Sequence, residues 1–402
     1  APTTPAQEMS TPALVGELDA AGVLTAEWRE AVTTVDRRRF LPDLIWTREG
    51  DGWVPCSRAD DPERWEALAH SDTALVTQMT DAPGAERVPT SSASMPRVVA
   101  TMLRELAPEE TSRVLEIGTG TGYNAALLAH RLGSQRVTTV DIDPDLTRRA
   151  RTALAAQGLH PSVITADGEG GWPPDAPYDR IIATCAVHQV PYAWVEQAAP
   201  GAVIVTPWGT ALRNGVLLRL TVRSVSGELV ACGPVVDDSA FMWMRAQAPA
   251  HRDVMATVHA HSGGEMISKT RLDPRDAFGD DDALHAVSVM VACRSTVGYD
   301  PQDPEEWTLW LADAATGSWA SVDVAPGADA NEVTQRGPRR LWAEVEHAYQ
   351  WWSAAGRPAR TRYGLTVART GQHVWLDHPD QPVPRAPRSP ASAMRGGESQ
   401  VP

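Results

Sequence analysis

The sequence predicts an α/β protein: a doubly wound, mostly parallel sheet with helices on both faces, followed by a smaller C-terminal α+β domain. Three observations carry this expectation. An apolar run ending in Val114-Leu-Glu-Ile117 passes through a turn with glycine at every second position, Gly118, Gly120 and Gly122, into a helical stretch. One more strand-then-helix unit and a third strand follow within about fifty residues, the spacing of parallel βαβ units. Beyond residue 245 the alternation stops, and short strands and helices mix without a repeating order.

The helix after the glycine turn spans Tyr123 to Leu132. A second β-branched run, Arg136-Val-Thr-Thr-Val140, ends on Asp141, and Asp143-Pro144 then opens a helix that reaches Gln157. A third strand, Ser162-Val-Ile-Thr165, leads to Ala166-Asp167-Gly168. Ligands of open α/β sheets bind outside the carboxyl ends of the strands, so Glu116, Asp141 and Asp167 are expected around one crevice. Asp141 is spaced to accept both ribose hydroxyls of a nucleotide-like cofactor. The dinucleotide fingerprint requires glycine one place beyond Gly122, where this chain has Tyr123. A crevice lined by acids attracts a cation and repels a pyrophosphate, which favours the sulfonium cofactor S-adenosylmethionine.

Flanking motifs narrow the reading. Upstream lie Val35-Asp-Arg-Arg-Arg-Phe-Leu-Pro42 and Pro89-Thr-Ser-Ser-Ala-Ser-Met-Pro96; downstream, in order, lie Ala176-Pro-Tyr-Asp-Arg-Ile-Ile-Ala-Thr184, Val190-Pro191, Trp194-Val-Glu-Gln197, Pro200-Gly201 and Val203-Ile-Val-Thr-Pro207. With the glycine turn, these resemble the class I methyltransferases and, more narrowly, the protein-L-isoaspartate O-methyltransferase family over about the first 245 residues. The resemblance implies that Ser92 occupies the family's active-site serine. It implies cofactor contacts from Thr90, Ser91, Glu116, Gly118, Thr119, Gly120, Gly122, Asp141, Ile142, Asp167 and Gly168, and substrate contacts from Ser94, Thr184 and His188. Ser91 and Ser94 stand where the family's Thr-Ile-Ser-x-Pro pattern has isoleucine and proline, so this segment is more polar than the pattern. One of these hydroxyls is also expected to cap a helix spanning Met95 to Leu106. His188 equally reads as a solvated loop residue, and Cys185 as a small buried apolar one rather than a nucleophile.

A formal net charge of −15 leaves no basic stripe for nucleic acid. The four cysteines, Cys56, Cys185, Cys232 and Cys293, are too far apart for a metal or redox motif and suit a reducing compartment. No apolar run is long enough to span a bilayer, and the opening Ala-Pro-Thr-Thr-Pro-Ala lacks the basic start and apolar core of a signal peptide. A cytoplasmic protein is expected, with Met9 near the natural start.

Three segments follow: a catalytic domain at 1–245 with an N-terminal helical part, an α+β domain at 246–378, and a proline-, serine-, arginine- and glycine-rich tail at 379–402 expected to be disordered. In the second domain, Ala286-Val-Ser-Val-Met-Val-Ala292 reads as a strand, Arg340 to Ala355 as a helix, and Arg362 to Asp377 as a hairpin turning at Gly371. Trp307, Trp310, Trp319, Trp342, Trp351, Trp352 and Trp375 concentrate here, mostly as core and some as a peptide groove. Over nearly its full length the chain resembles the methyltransferases encoded beside ATP-grasp ligases in graspetide pathways. Those relatives methylate an aspartate of a ribosomally made, side-chain-crosslinked precursor peptide, and the ester closes to an aspartimide. Isoaspartate repair, a lanthipeptide pathway and a non-catalytic module that holds a precursor for a ligase remain the other readings.

Overall fold

The structure is a computed structural model and describes residues 11–80, 87–249 and 254–385. It divides into two compact units. The first runs through Trp208 and adds Gly215–Gln247 and Thr366–Gln372; the second comprises Gly209–Asn214, Ala248–Leu365 and the residues from His373 onward. No helix among the described residues is long and apolar enough to cross a membrane.

The first unit is built on a mixed sheet. From one edge its strands are Ser162–Thr165, Val137–Asp141, Val114–Ile117, Tyr178–Ala183, Ala198–Gly209, Asn214–Val225 and Glu228–Asp238. The first five pair in parallel, and Asn214–Val225 pairs antiparallel with Glu228–Asp238. The chain steps outward from Val114–Ile117 through two strands and then returns to its other side with Tyr178–Ala183, so the direction of winding reverses between these neighbours. A crevice opens at the carboxyl ends of strands at such a reversal.

The helices form where their signals stand. Asp143 Oδ1 accepts from the backbone N–H of Asp145 (2.9 Å) and Leu146 (3.3 Å), and Pro144 opens Pro144–Ala156. Tyr123–Leu132 starts at Gly122, whose φ of +94° suits glycine and whose added Cβ would lie 3.2 Å from Ala150 Cβ, so this glycine serves helix packing. Leu103, Leu127, Leu128, Leu154 and Val205 meet in the main core of this unit, each contributing about 1.5–3 kcal/mol through burial.

The N-terminal part is more than helical. Gly52–Ser57, Leu44–Glu49, Leu75–Met79 and Pro89–Ala93 form an antiparallel four-stranded sheet in that order. The serine segment is therefore an edge strand, which corrects the expectation that it caps the next helix. That helix, Pro96–Leu106, begins after Met95 with no side-chain cap, because Ser91 and Ser92 spend their backbone geometry on pairing with Gln78 and Val76. Arg37 holds this region together from within. Only 1% exposed, it donates to the carbonyl oxygens of Thr73 (2.7 Å), Ser71 (3.0 Å) and Ser94 (3.2 Å).

The second unit is α+β. Its five-stranded antiparallel sheet runs Met266–Thr270, Asn331–Arg336, Ser318–Val324, Trp307–Asp313, Arg294–Tyr299, covered by helices including Leu341–Ala354. The expected strand at 286–292 is instead the helix Asp281–Met290. Asp280 caps it by accepting from Asp282 and Ala283, and an unbroken apolar run fits a buried helix as well as a buried strand. The expected hairpin forms, but its residues 366–372 belong to the first unit. Trp319, Trp342, Trp352 and Trp375 are buried, whereas Trp307, Trp310 and Trp351 are half-buried. The start of the expected tail is held: Val383 donates its N–H to the Val374 carbonyl at 2.9 Å. Residues 386–402 and Met9 lie outside the described residues.

Candidate active site

A cavity opens at the winding reversal, lined entirely from the first unit. Its floor is the glycine turn. Gly118 (φ +96°) and Gly120 (φ +53°) adopt backbone that favours glycine, and a Cβ on Gly118 would stand 2.8 Å from Thr184 Oγ1. Thr184, at the end of the neighbouring strand, instead donates its hydroxyl to the Gly118 carbonyl at 2.6 Å. Thr119, Gly120 and Thr121 complete the floor.

At the end of the second strand, Asp141 is pre-set for a ligand. Its Oδ2 accepts from the Gly120 N–H at 2.9 Å and its Oδ1 from the Asp143 N–H at 3.1 Å, which leaves one lone pair on each oxygen of a residue that lines the cavity. Burial raises its pKa, and these two amides oppose the rise. Beside it Ile142 is 45% exposed, an apolar face at the rim where a flat ring can lie. Asp167 and Gly168 line the far side; the Trp194 indole N–H donates to the Gly168 carbonyl at 2.8 Å and fixes that turn.

The opposite wall is the strand 89–93 with Ser94. Thr90, Ser91, Ser92 and Ser94 all line the cavity. Thr90 Oγ1 donates to Gln78 Oε1 at 2.9 Å, and Gln78 Nε2 reaches Asp143 Oδ2 at 3.4 Å, which ties the serine strand to the second strand end. The Ser92 hydroxyl has no hydrogen bond among the described residues.

Two expected residues stand elsewhere. Glu116 is fully buried and outside the cavity lining. Side chains alternate along a strand, so the residue one place before the end of Val114–Ile117 faces away from the crevice that Ile117 and Gly118 border. Glu116 receives hydrogen bonds from Asn124 Nδ2 and from Thr139 Oγ1 (2.6 Å), and Thr139 in turn meets Thr119 Oγ1 at 2.6 Å. Burial is the main cause that pushes its pKa up to about 7, against the lowering effect of those bonds. The carboxyl thus braces the glycine turn from below. His188 is exposed and also outside the lining; its backbone N–H donates to Gln247 Oε1 at 2.8 Å and its carbonyl accepts from the Trp208 indole at 2.7 Å. Burial pushes the Cys185 thiol up to about 12, which excludes a thiolate at neutral pH.

The roof was not anticipated as part of the site. Phe241, Met242, Trp243, Met244 and Arg245 line it. They are stitched to the end of the Tyr178–Ala183 strand by a parallel bridge: Ala186 N–H to the Met242 carbonyl and Met244 N–H to the Ala186 carbonyl, both 2.8 Å. A dense run of large apolar side chains outside any strand was the available signal.

A glycine turn at the winding reversal, an acid with free lone pairs at the second strand end and an apolar rim beside it define the class I S-adenosylmethionine-dependent methyltransferase fold. A solved protein-L-isoaspartate O-methyltransferase matches it with a TM-score of 0.50 at 19% identity, over 92% of this chain and all of that one. The family model for protein-L-isoaspartate(D-aspartate) O-methyltransferase matches residues 62–231. Protein-L-isoaspartate O-methyltransferase 2 of Anaeromyxobacter sp. is 34% identical over 183 residues, 43% of this chain and 70% of that protein. Protein-L-isoaspartate O-methyltransferase of Ignicoccus hospitalis is 38% identical over 148 residues, 36% of this chain and 65% of that protein. The chain belongs to the protein-L-isoaspartate O-methyltransferase family. It spans slightly less than two thirds of the length of the Ignicoccus protein.

Proposed function

We propose that this chain is an S-adenosylmethionine-dependent carboxyl O-methyltransferase whose substrate is an L-aspartate side chain in a ribosomally made peptide already crosslinked by an ATP-grasp ligase. The observation that carries the carboxylate reading is the Ser92 hydroxyl, unengaged among the described residues and lining the same cavity as the glycine turn. The residues fit the cofactor: Asp141 offers two lone pairs to ribose hydroxyls, Ile142 an apolar face to adenine, and Asp141 and Asp167 a negative field to a cation. When bound, S-adenosylmethionine supplies an electrophilic methyl group.

The chain's own contribution is placement. An aspartate carboxylate is ionised near neutral pH and needs no general base. Ser92 donates a hydrogen bond to one carboxylate oxygen and leaves the other to form the new C–O bond as the C–S bond breaks. The apolar roof from Phe241 to Met244 excludes water, which sharpens that alignment. Afterwards the amide nitrogen of the following residue attacks the ester carbonyl, loses its proton and expels methanol, closing the aspartimide without a further group from the enzyme.

The crosslinked-peptide reading is supported by the polar residues Ser91 and Ser94 on the wall beside Ser92. Family membership favours a second reading, methylation of isoaspartyl residues in damaged proteins. Mass spectrometry separates them. The crosslinked precursor should gain a methyl group and then lose methanol, a net loss of one water, while the uncrosslinked peptide stays unchanged. Turnover of linear isoaspartyl peptides with no water-loss product from the precursor selects repair.

A further inference from the structure

Arg245 is the one cationic side chain among the described residues that line the cavity. Around it the charge is negative: Asp141 and Asp167 line the same space, Asp143 stands at its mouth, and the chain as a whole carries −15. That field suits a cationic cofactor and opposes an anionic substrate. A carboxylate approaching this cavity therefore needs a local countercharge.

The position of Arg245 is built on both sides. Before it, Met244 is bridged to Ala186. After it, Gln247 accepts from the N–H groups of His188 and Gln189 (2.8 and 2.9 Å) and donates to Glu169 Oε1 and the Gln189 carbonyl (2.9 and 2.7 Å). The backbone is fixed, whereas the side chain is 47% exposed and makes, among the described residues, a single 3.3 Å contact, Nη2 to Asp143 Oδ2. Asp143 is itself engaged elsewhere, its Oδ1 capping a helix and its Oδ2 also accepting from Gln78. A guanidinium has five N–H donors in a planar fork that matches a carboxylate, so most of this one is available for a ligand.

We infer that Arg245 is the substrate-recognition residue of this enzyme, pairing with the carboxylate of the peptide aspartate before methyl transfer. The inference rests on the carboxyl-methyltransferase reading and deepens it. Methylation converts the carboxylate to a neutral ester, so the same step that forms product removes the ion pair that held the substrate. Arg245 thereby favours substrate over product, and product leaves without competing on equal terms.

The test is calorimetric and uses the full chain loaded with S-adenosylhomocysteine. The probes are the crosslinked precursor peptide and the same peptide with its unlinked aspartates replaced by asparagine. Arg245→Gln should weaken binding of the aspartyl peptide roughly ten- to hundredfold. Its affinity for S-adenosylhomocysteine should stay within about threefold of wild type, since the proposed contact is to substrate charge. The asparaginyl peptide should bind both proteins weakly and alike, Arg245→Lys should restore part of the loss, and KM should rise in Arg245→Gln with a smaller change in kcat. Equal binding of the aspartyl peptide by wild type and Arg245→Gln overturns the assignment and leaves the methyltransferase reading standing. Failure of loaded wild type to bind the aspartyl peptide, or of wild type supplied with S-adenosylmethionine to methylate it, overturns the substrate reading, and the role of Arg245 falls with it.

Discussion

Replacing Glu116 with glutamine should make the protein more stable at alkaline pH and leave it nearly unchanged at acid pH. Burial raises this carboxyl from the usual 4.5 to about 7 in the folded chain. Below 4.5 folded and unfolded chains both hold the proton and nothing is lost. Between 4.5 and 7 the unfolded chain releases its proton while the folded chain keeps it, so stability falls as pH rises, and above 7 the loss is complete. At 1.36 kcal/mol per pH unit the full loss is about 3 kcal/mol, most of it between about pH 5 and about pH 8. Glutamine is neutral throughout and escapes it. Thr139 can still donate to its carbonyl oxygen, and Asn124, whose Oδ1 is buried without a partner, can turn its amide to accept from the new N–H. The assay is urea unfolding of both proteins at the two pH values, following the transition that S-adenosylhomocysteine shifts, which assigns it to the first unit. Any constant effect of the substitution cancels in the comparison across pH. A stability difference that stays the same at both values, within about 0.5 kcal/mol, would refute the claim that this carboxyl is carried neutral into the core.

Asp141→Ala removes the ribose acceptor and the brace on Gly120, so affinity for S-adenosylhomocysteine should fall roughly ten- to hundredfold by calorimetry; unchanged affinity would show that Asp141 is not the ribose partner. Ser92→Ala should slow methyl transfer in single-turnover assays far more than it weakens cofactor binding. Its stability should stay within about 0.5 kcal/mol of wild type, because no hydrogen bond among the described residues is lost; a large drop in stability with full activity would give Ser92 a structural role instead.

The parts of the fold that were legible in the sequence are those in which local chemistry and tertiary role agree. Pro144 after Asp143 opens a helix by itself, and the glycines at 118, 120 and 122 can take the positive φ that a tight strand-to-helix turn requires. The helix at Asp281–Met290 was read as a strand because its apolar residues are continuous, and a continuous run carries no period. The four-stranded sheet was missed because its strands are only five or six residues long and one of them, Pro89–Ala93, is rich in small hydroxyl residues better known as helix caps.

The same distinction sorts the site. Asp141, Ile142, Asp167, Gly168 and the serine strand line the cavity because a strand end and a tight turn leave little choice of direction. Glu116 was misplaced by one residue of strand register, and with a period of two that moves a side chain to the other face of the sheet. Arg245 and the apolar roof reach the cavity through backbone bonds between Ala186 and the 242–244 segment, a contact across more than fifty residues that no local pattern encodes. Gln78 is tied in the same way, through Thr90 on one side and Asp143 on the other. Charge adds the remaining step. Acids at strand ends announce a cationic cofactor from sequence alone, whereas the countercharge for an anionic substrate has to come from the wall that closes over it. In this chain the one cationic side chain among the described lining residues is carried by the 241–245 segment, where a sequence reading finds the end of a domain.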